Sequence, residues 1–163
     1  MVISLTKKNS INTYLISEKQ HKHTAAKSKT THSTPENLQV LFEDNHIIVV
    51  NKRPGDIVQG DKTGDILLSE ITKQYLAKKY NKPGGVFLGV VHRLDRPTSG
   101  VIVFARTSKA LPRLNTSFAE RETEKTYWAV VKNHPPKEHD SLTHFLKINP
   151  KQNQSNAHTK QVT

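Results

Sequence analysis

The chain contains no cysteine among its 163 residues, and its apolar residues never form a long run. The lack of cysteine excludes disulfide bonds, thiolate catalysis and cysteine-ligated zinc. A membrane-spanning helix needs about 20 consecutive apolar residues, and no segment approaches that length. The apolar start of the chain is short and is followed by lysines, which is the wrong order for a signal peptide. We therefore expect a cytoplasmic protein in a reducing compartment.

Acidic residues are the minority among the charged ones. The 14 Asp and Glu residues stand against 25 Lys and Arg residues, which gives a formal net charge of +11. A surface this basic indicates a polyanionic partner, usually nucleic acid. Composition alone leaves open the alternative of a basic protein without such a partner.

Apolar residues make up only 34% of the chain and are distributed unevenly. Residues 1–36 are rich in Lys, Thr, Ser and His without apolar periodicity, so we expect this basic segment to be disordered. Its lysines either contact RNA weakly or belong to a solvated tail. Its histidines lack carboxylate or cysteine partners at ligand spacing, so no metal site is predicted. The folded core is predicted over residues 37–148, followed by a polar tail over 149–163.

The apolar pattern of this core predicts an α+β fold. Asp65 is placed to cap a first helix, and Thr107 or Ser108 a second one. The order of the elements favours a mixed, largely antiparallel sheet with flanking helices. Strands are predicted over 40–42, 46–51, 86–91, 101–105, 125–131 and 142–148, and helices over 66–80 and from 107 or 108 to about 120.

A polar insert between two apolar strands carries the strongest candidate chemistry. Residues 92–100 read H-R-L-D-R-P-T-S-G. Rigid strands can aim the side chains of such a loop. Arg93 and Arg96 would favour the ionised form of Asp95, leaving a carboxylate that can act as nucleophile or base. From residue types alone, the alternative is that Asp95 only forms an ion pair with one of these arginines.

The same insert resembles the central motif of RluA-type RNA pseudouridine synthases, H-R-L-D-x-x-T-S-G. Two further segments agree in order and spacing. Residues 49–55 are similar to the upstream N-K-P-x-G segment of the family, with Arg53 inserted before the proline. Residues 121–131 resemble the downstream R-x-x-x-K-x-Y-x-A-x-V segment. The resemblance extends roughly over residues 38–148.

This resemblance implies an enzyme that isomerises uridine to pseudouridine in ribosomal or transfer RNA, without a metal or an organic cofactor. It implies that Asp95 is the catalytic carboxylate, acting on the sugar either by attack or by removing a proton. It also implies that Tyr127 is the active-site tyrosine that stacks on the uracil. A tyrosine in the core of a strand is the alternative for Tyr127.

The resemblance further implies a set of RNA contacts. Two residues of the insert are similar to family residues that fill the space of the flipped base and hold phosphates, and three more are candidate RNA contacts. Residues 98–100 are expected to shape the turn instead. The predicted contacts are His92, Arg93, Arg96, Lys52 and Lys125.

The family pattern continues with a segment resembling T-G-R-x-H-Q-I-R, and nothing in residues 136–163 resembles it. We therefore expect an incomplete version of the catalytic fold, with weak or no activity of this chain alone. One alternative function is a catalytically silent RNA-binding remnant. Another is a different RNA- or sugar-modifying enzyme. A monomer is expected.

Overall fold

The computed structural model describes residues 2–8, 11–16, 32–60, 64–134, 136–137, 140, 144–150, 152 and 154–160. The chain divides into two compact units. The terminal unit combines Met1–Thr24 with Thr123–Thr163, and the central unit is Ala25–Glu122. The core predicted as one segment is thus shared between two units.

The described elements form antiparallel sheets and helices, which confirms the α+β class. In chain order they are β1 (Val2–Lys8), β2 (Ile11–Ile16), β3 (Val40–Glu43), β4 (Ile47–Lys52), α1 (Leu68–Lys79), β5 (Gly89–Val90), β6 (Gly100–Ala105), α2 (Ala110–Ala119), β7 (Lys125–Val130), β8 (Phe145–Asn149) and β9 (Gln154–His158). None of the helices within the described ranges is long and apolar enough to cross a membrane.

The central unit is built on one antiparallel sheet in the order β3-β4-β6-β5. Successive side chains of a strand point to opposite faces, so alternate residues of β4 and β6 share one face. On that face the side chains of Ile48, Val50, Ile102 and Phe104 have no exposed surface. They form one apolar cluster with Leu68 and Leu76, the first of which begins α1. Burial of each such side chain contributes roughly 1.5–3 kcal/mol.

The two helix starts differ from each other in how they are capped. Asp65 does not cap α1, because the residue before the helix is Leu67 and makes no side-chain cap. Instead the Leu68 N–H donates to the Ile57 carbonyl at 2.7 Å. The residue before α2 is Lys109, which makes no side-chain cap either, so neither Thr107 nor Ser108 is the capping residue. The Thr107 hydroxyl nevertheless accepts a hydrogen bond from the Ala110 N–H at 3.1 Å.

The terminal unit contains a sheet in the order β2-β1-β7 and the hairpin β8-β9. The expected disorder of residues 1–36 is therefore wrong for β1 and β2, and the expected polar tail contains β9. The physical reason is backbone pairing: β1 lies between two antiparallel partners, which supply the hydrogen bonds that the sequence pattern did not reveal. The rest of residues 1–31 lies outside the described residues.

A buried carboxylate ties the sheet of the central unit to α1. Glu43 accepts hydrogen bonds from Lys79 at 2.8 Å and Tyr80 at 2.6 Å, and Arg106 lies 3.1 Å away. Burial acts to raise the pKa of Glu43. The hydrogen bonds from Lys79 and Tyr80 and the positive charges of Lys79 and Arg106 outweigh burial and lower the pKa below its usual value.

We predict that Glu43→Gln lowers the free energy of unfolding at pH 7 by about 1–3 kcal/mol, because a charged acceptor of several donors is lost. The lowered pKa means that Glu43 stabilises the fold above its unfolded-state value of 4.5, and that this contribution disappears as the pH falls through the folded-state value. Denaturant unfolding at pH 7 and pH 3 should show that the free energies of unfolding of the wild type and of Glu43→Gln differ less at pH 3.

Glu70→Gln is the matched control, since Glu70 forms an exposed pair with Lys73 on α1. It should change stability by no more than about 0.5 kcal/mol. Equal effects of Glu43→Gln at both pH values would contradict the assigned electrostatic role.

Candidate active site

The structure brings two of the three resembling segments together in the central unit. The chain leaves the sheet after β5, makes a turn closed by a hydrogen bond from the Thr98 N–H to the Asp95 carbonyl at 3.0 Å, and returns as β6. The Gly55 N–H donates to the Arg96 carbonyl at 2.8 Å. Gly55 has a φ of 95°, a conformation that suits glycine. The loop after β4 therefore holds the turn that carries Asp95.

The side chain of Lys52 also links the end of β4 to the turn that carries Asp95. Its side chain is fully buried, and its ammonium donates to the carbonyls of Arg53 (3.2 Å), Arg96 (3.0 Å) and Thr98 (2.6 Å). Burial lowers the pKa of Lys52, while the charges of Asp56 and Asp95 oppose this effect. The predicted phosphate contact is wrong for this arrangement, because an ammonium with three bonded donors and no exposed surface does not reach RNA.

The Asp95 side chain is exposed at the surface of this turn. Within the described part of the central unit, no Lys, Arg or His side chain forms an ion pair with it. Arg96 instead pairs with Asp65 at 2.7 Å. The alternative that Asp95 serves only in an ion pair with Arg93 or Arg96 is therefore wrong. The carboxylate is accessible on a backbone that is held in place.

The two residues at the start of the insert differ in exposure. His92 is partly buried: its Nε2 accepts a hydrogen bond from the Val103 N–H at 3.0 Å, and its ring stacks on Phe118 with 4.7 Å between centroids. The neighbouring Arg93 is exposed. Of these two predicted RNA contacts, Arg93 is thus the one whose side chain faces solvent.

Lys125 and Tyr127 belong to the terminal unit, where they lie on β7. Alternation along the strand puts both on the same face. Tyr127 keeps 39% of its surface exposed, so the alternative of a core tyrosine is wrong. Its ring is available for stacking.

Three residues that support the site were not identified from the sequence. Asp56 is buried and accepts hydrogen bonds from the Ser33 N–H at 3.0 Å, the Ser33 hydroxyl at 2.6 Å and the Arg53 N–H at 3.1 Å. Asp65 is the partner of Arg96. A helix-cap signal was the only local indication at Asp65, and nothing local distinguished Ser33 or Asp56.

A surface cleft of about 320 Å³ lies near this support but is not centred on the candidate carboxylate. Its lining includes His32, Pro35, Ile57 and Asp65, and Asp95 is not part of it. The cleft is therefore distinct from the turn that exposes Asp95.

Comparison with known proteins identifies the family of this chain. The sequence model of the family described as RNA pseudouridylate synthase matches residues 46–163. The chain belongs to the RNA pseudouridylate synthase family. The family match includes the turn with Asp95 and the strand with Tyr127, so it confirms the resemblance of the motifs.

Several curated bacterial proteins are similar to this family member. Ribosomal large subunit pseudouridine synthase D of Zymomonas mobilis is 36% identical over 111 residues, which are 66% of this chain and 35% of the relative. tRNA pseudouridine synthase C of Vibrio parahaemolyticus is 35% identical, over 60% of this chain and 38% of the relative. Ribosomal large subunit pseudouridine synthase C of Vibrio vulnificus is 32% identical, over 70% of this chain and 34% of the relative. The chain thus spans about a third of the length of these relatives.

Among solved structures, human RNA pseudouridylate synthase domain containing 4 is similar with a TM-score of 0.45 and 24% identity. The similarity covers 52% of this chain and 30% of the human chain.

We predict that Lys52→Met lowers the free energy of unfolding by about 1–3 kcal/mol, because methionine fills the space but removes the donor from the carbonyls of Arg53 and Thr98 and one of the two donors from the Arg96 carbonyl. Denaturant unfolding measures this change. Lys82→Met is the matched control, since Lys82 is exposed in the loop after α1 and should tolerate the same substitution. A Lys52→Met variant as stable as the control would show that the three hydrogen bonds contribute little.

Proposed function

We propose that this protein isomerises uridine to pseudouridine in ribosomal or transfer RNA, with Asp95 as the catalytic carboxylate. The observation that carries the proposal is the exposed Asp95 on a turn held by Lys52 and Gly55, inside the segment matched by the family. The relatives named for modifying ribosomal and transfer RNA support the substrate class.

The proposed reaction balances without an added reagent. The bond from N1 of the uracil to C1′ of the ribose breaks, the base turns, and a bond from C5 to C1′ forms. The proton on C5 leaves and N1 gains a proton, so the RNA keeps its mass and its oxidation state. Asp95 acts at the sugar by one of two routes: attack on C1′, or removal of a sugar proton.

The target base must leave its helix or loop before a surface carboxylate can reach the sugar, which costs a few kcal/mol. Arg93 is the proposed group that fills the vacated space and binds phosphate, because a planar guanidinium can do both. Arg96 is a second phosphate contact. Its exposed pair with Asp65 is worth about 0–1 kcal/mol, so RNA can compete with the carboxylate.

Tyr127 and Lys125 are proposed to act on the same RNA. The exposed ring of Tyr127 suits stacking on the uracil, and its hydroxyl suits transfer of the C5 proton. Lys125 adds positive charge on the same face of β7.

Tritium release from transcripts of large-subunit ribosomal RNA and transfer RNA, labelled with tritium at C5 of uridine, tests the reaction. The rate is expected to be low, because residues 136–163 contain no counterpart of the later family segment. Asp95→Asn should reduce release by a factor of about 10²–10⁴, since the amide can neither attack nor accept the proton. Asp140→Asn, the same change at an aspartate paired with Lys137, is the control and should leave release unchanged.

Other outcomes would replace this proposal. RNA binding without tritium release would favour the binding remnant, whose supporting observation is the net charge of +11. Free uracil or shortened RNA would indicate a different modifying enzyme, because an isomerase leaves the length and mass of RNA unchanged.

The role of Arg93 predicts a specific salt dependence of RNA binding. Arg93→Gln should weaken binding and reduce the slope of log affinity against log salt concentration by about 1, as expected for one lost phosphate contact. Titrations with the same transcripts between low and physiological salt measure this slope. Arg113→Gln on α2 is the matched control, and a slope changed equally by both variants would contradict a specific contact at Arg93.

A further inference from the structure

His92 is held between two elements of the central unit rather than directed toward solvent. The Val103 N–H of β6 donates to its Nε2 at 3.0 Å. On the other side, the imidazole stacks on Phe118 of α2, with the ring planes only 18° apart. One side chain therefore links the sheet and the helix at the point where the chain enters the turn of Asp95.

The hydrogen bond compensates for the shortness of β5. The pairing of β5 with β6 consists of Gly89 opposite Ala105 and Val90 opposite Phe104. The Val103 N–H lies beyond this pairing, and the imidazole of His92 accepts it. An N–H removed from water without an acceptor is costly. The His92 side chain therefore supplies the acceptor that a longer β5 would have supplied from its backbone.

A second close contact binds the same helix to β5. A Cβ added at Gly89 would lie 2.7 Å from the Cδ1 of Leu111, so the glycine allows α2 to approach the strand. Leu111 and Phe118 are two helical turns apart and share one face of α2. The helix thus contacts β5 at Gly89 and, two residues beyond the end of β5, the stacked ring of His92.

The chemistry of the ring excludes a charged contact in this state. A nitrogen that accepts an N–H bond carries no proton, so the imidazole is neutral while the bond to Val103 is made. A neutral, partly buried ring contributes no charge to phosphate binding. This contrasts with the exposed guanidinium of Arg93, next in the chain.

We infer that His92 is a positioning residue that fixes the entrance of the Asp95 turn through Val103 and Phe118, and not an RNA contact. The effect on turnover rests on the proposed function, whereas the effect on the fold does not. Small displacements of a reacting group can cost about 10²-fold in rate, so a side chain that fixes the turn can act without touching the substrate.

Three variants of the full chain test this inference: His92→Ala, His92→Gln and Phe118→Leu. For each, hydrogen exchange at the Val103 amide, RNA affinity as a function of salt, and the rate of tritium release at saturating RNA are measured. The glutamine oxygen can accept the Val103 N–H in place of Nε2 and preserves folding, which makes His92→Gln the conservative variant. Exchange at the Val50 amide reports on the integrity of the sheet core.

In His92→Ala we expect exchange at the Val103 amide to accelerate about tenfold relative to the Val50 amide, because the Val103 N–H loses its acceptor. Release at saturation should fall about 10-fold to 100-fold, with RNA affinity and its salt slope unchanged. His92→Gln should restore most of both effects, and Phe118→Leu should give part of the loss.

A reduced salt slope in His92→Ala with unchanged exchange at Val103 would overturn the inference and restore the RNA contact. If the wild-type chain releases no tritium, the proposed activity fails, yet exchange and affinity still decide the role of His92. In that case, accelerated exchange at the Val103 amide of His92→Ala with unchanged RNA affinity supports a positioning role for His92. Unchanged exchange at this amide refutes that role.

Discussion

The buried ammonium of Lys52 is the interaction on which the candidate site depends. A lysine inside a protein is costly unless its donors are satisfied, and here three carbonyls satisfy them. Two of these carbonyls, from Arg96 and Thr98, belong to the turn of Asp95. Because Lys52 ends β4 in the packed sheet, the position of the turn is set by the sheet core. The Gly55 bond to the same turn adds a second link from the same loop.

Much of the central unit could be predicted from the sequence because its strands and first helix have local apolar patterns. Short apolar runs indicate β4 and β6, and the three- and four-residue spacing in α1 indicates the helix. Which face of each strand is buried is visible only in the structure. The strands β1, β2 and β9 lack such a signal. The pairing of β1 with β7 joins segments from opposite ends of the chain, and a local pattern contains no information about a partner so distant.

The sequence proposes residues for the candidate site but says little about their contacts. A contiguous motif pointed to Asp95, and the family match agrees with it. The pairing of Arg96 with Asp65 spans 31 positions, and the acceptors of Lys52 are backbone carbonyls that no residue type announces. Residue types indicate which charges are present. Which of them neutralise each other is decided by tertiary structure.

In the proposed reaction, a carboxylate must act close to the phosphates of RNA. RNA phosphates repel Asp95, and at physiological salt such repulsion acts over about 8 Å. Arg93 and Arg96 flank Asp95 in the chain, and both of their side chains are exposed. Arg96 pairs with Asp65 and the Asp95 side chain stays exposed, so the carboxylate is accessible to the RNA of the proposed reaction, and the exposed arginines beside it in the chain add positive charge to the turn.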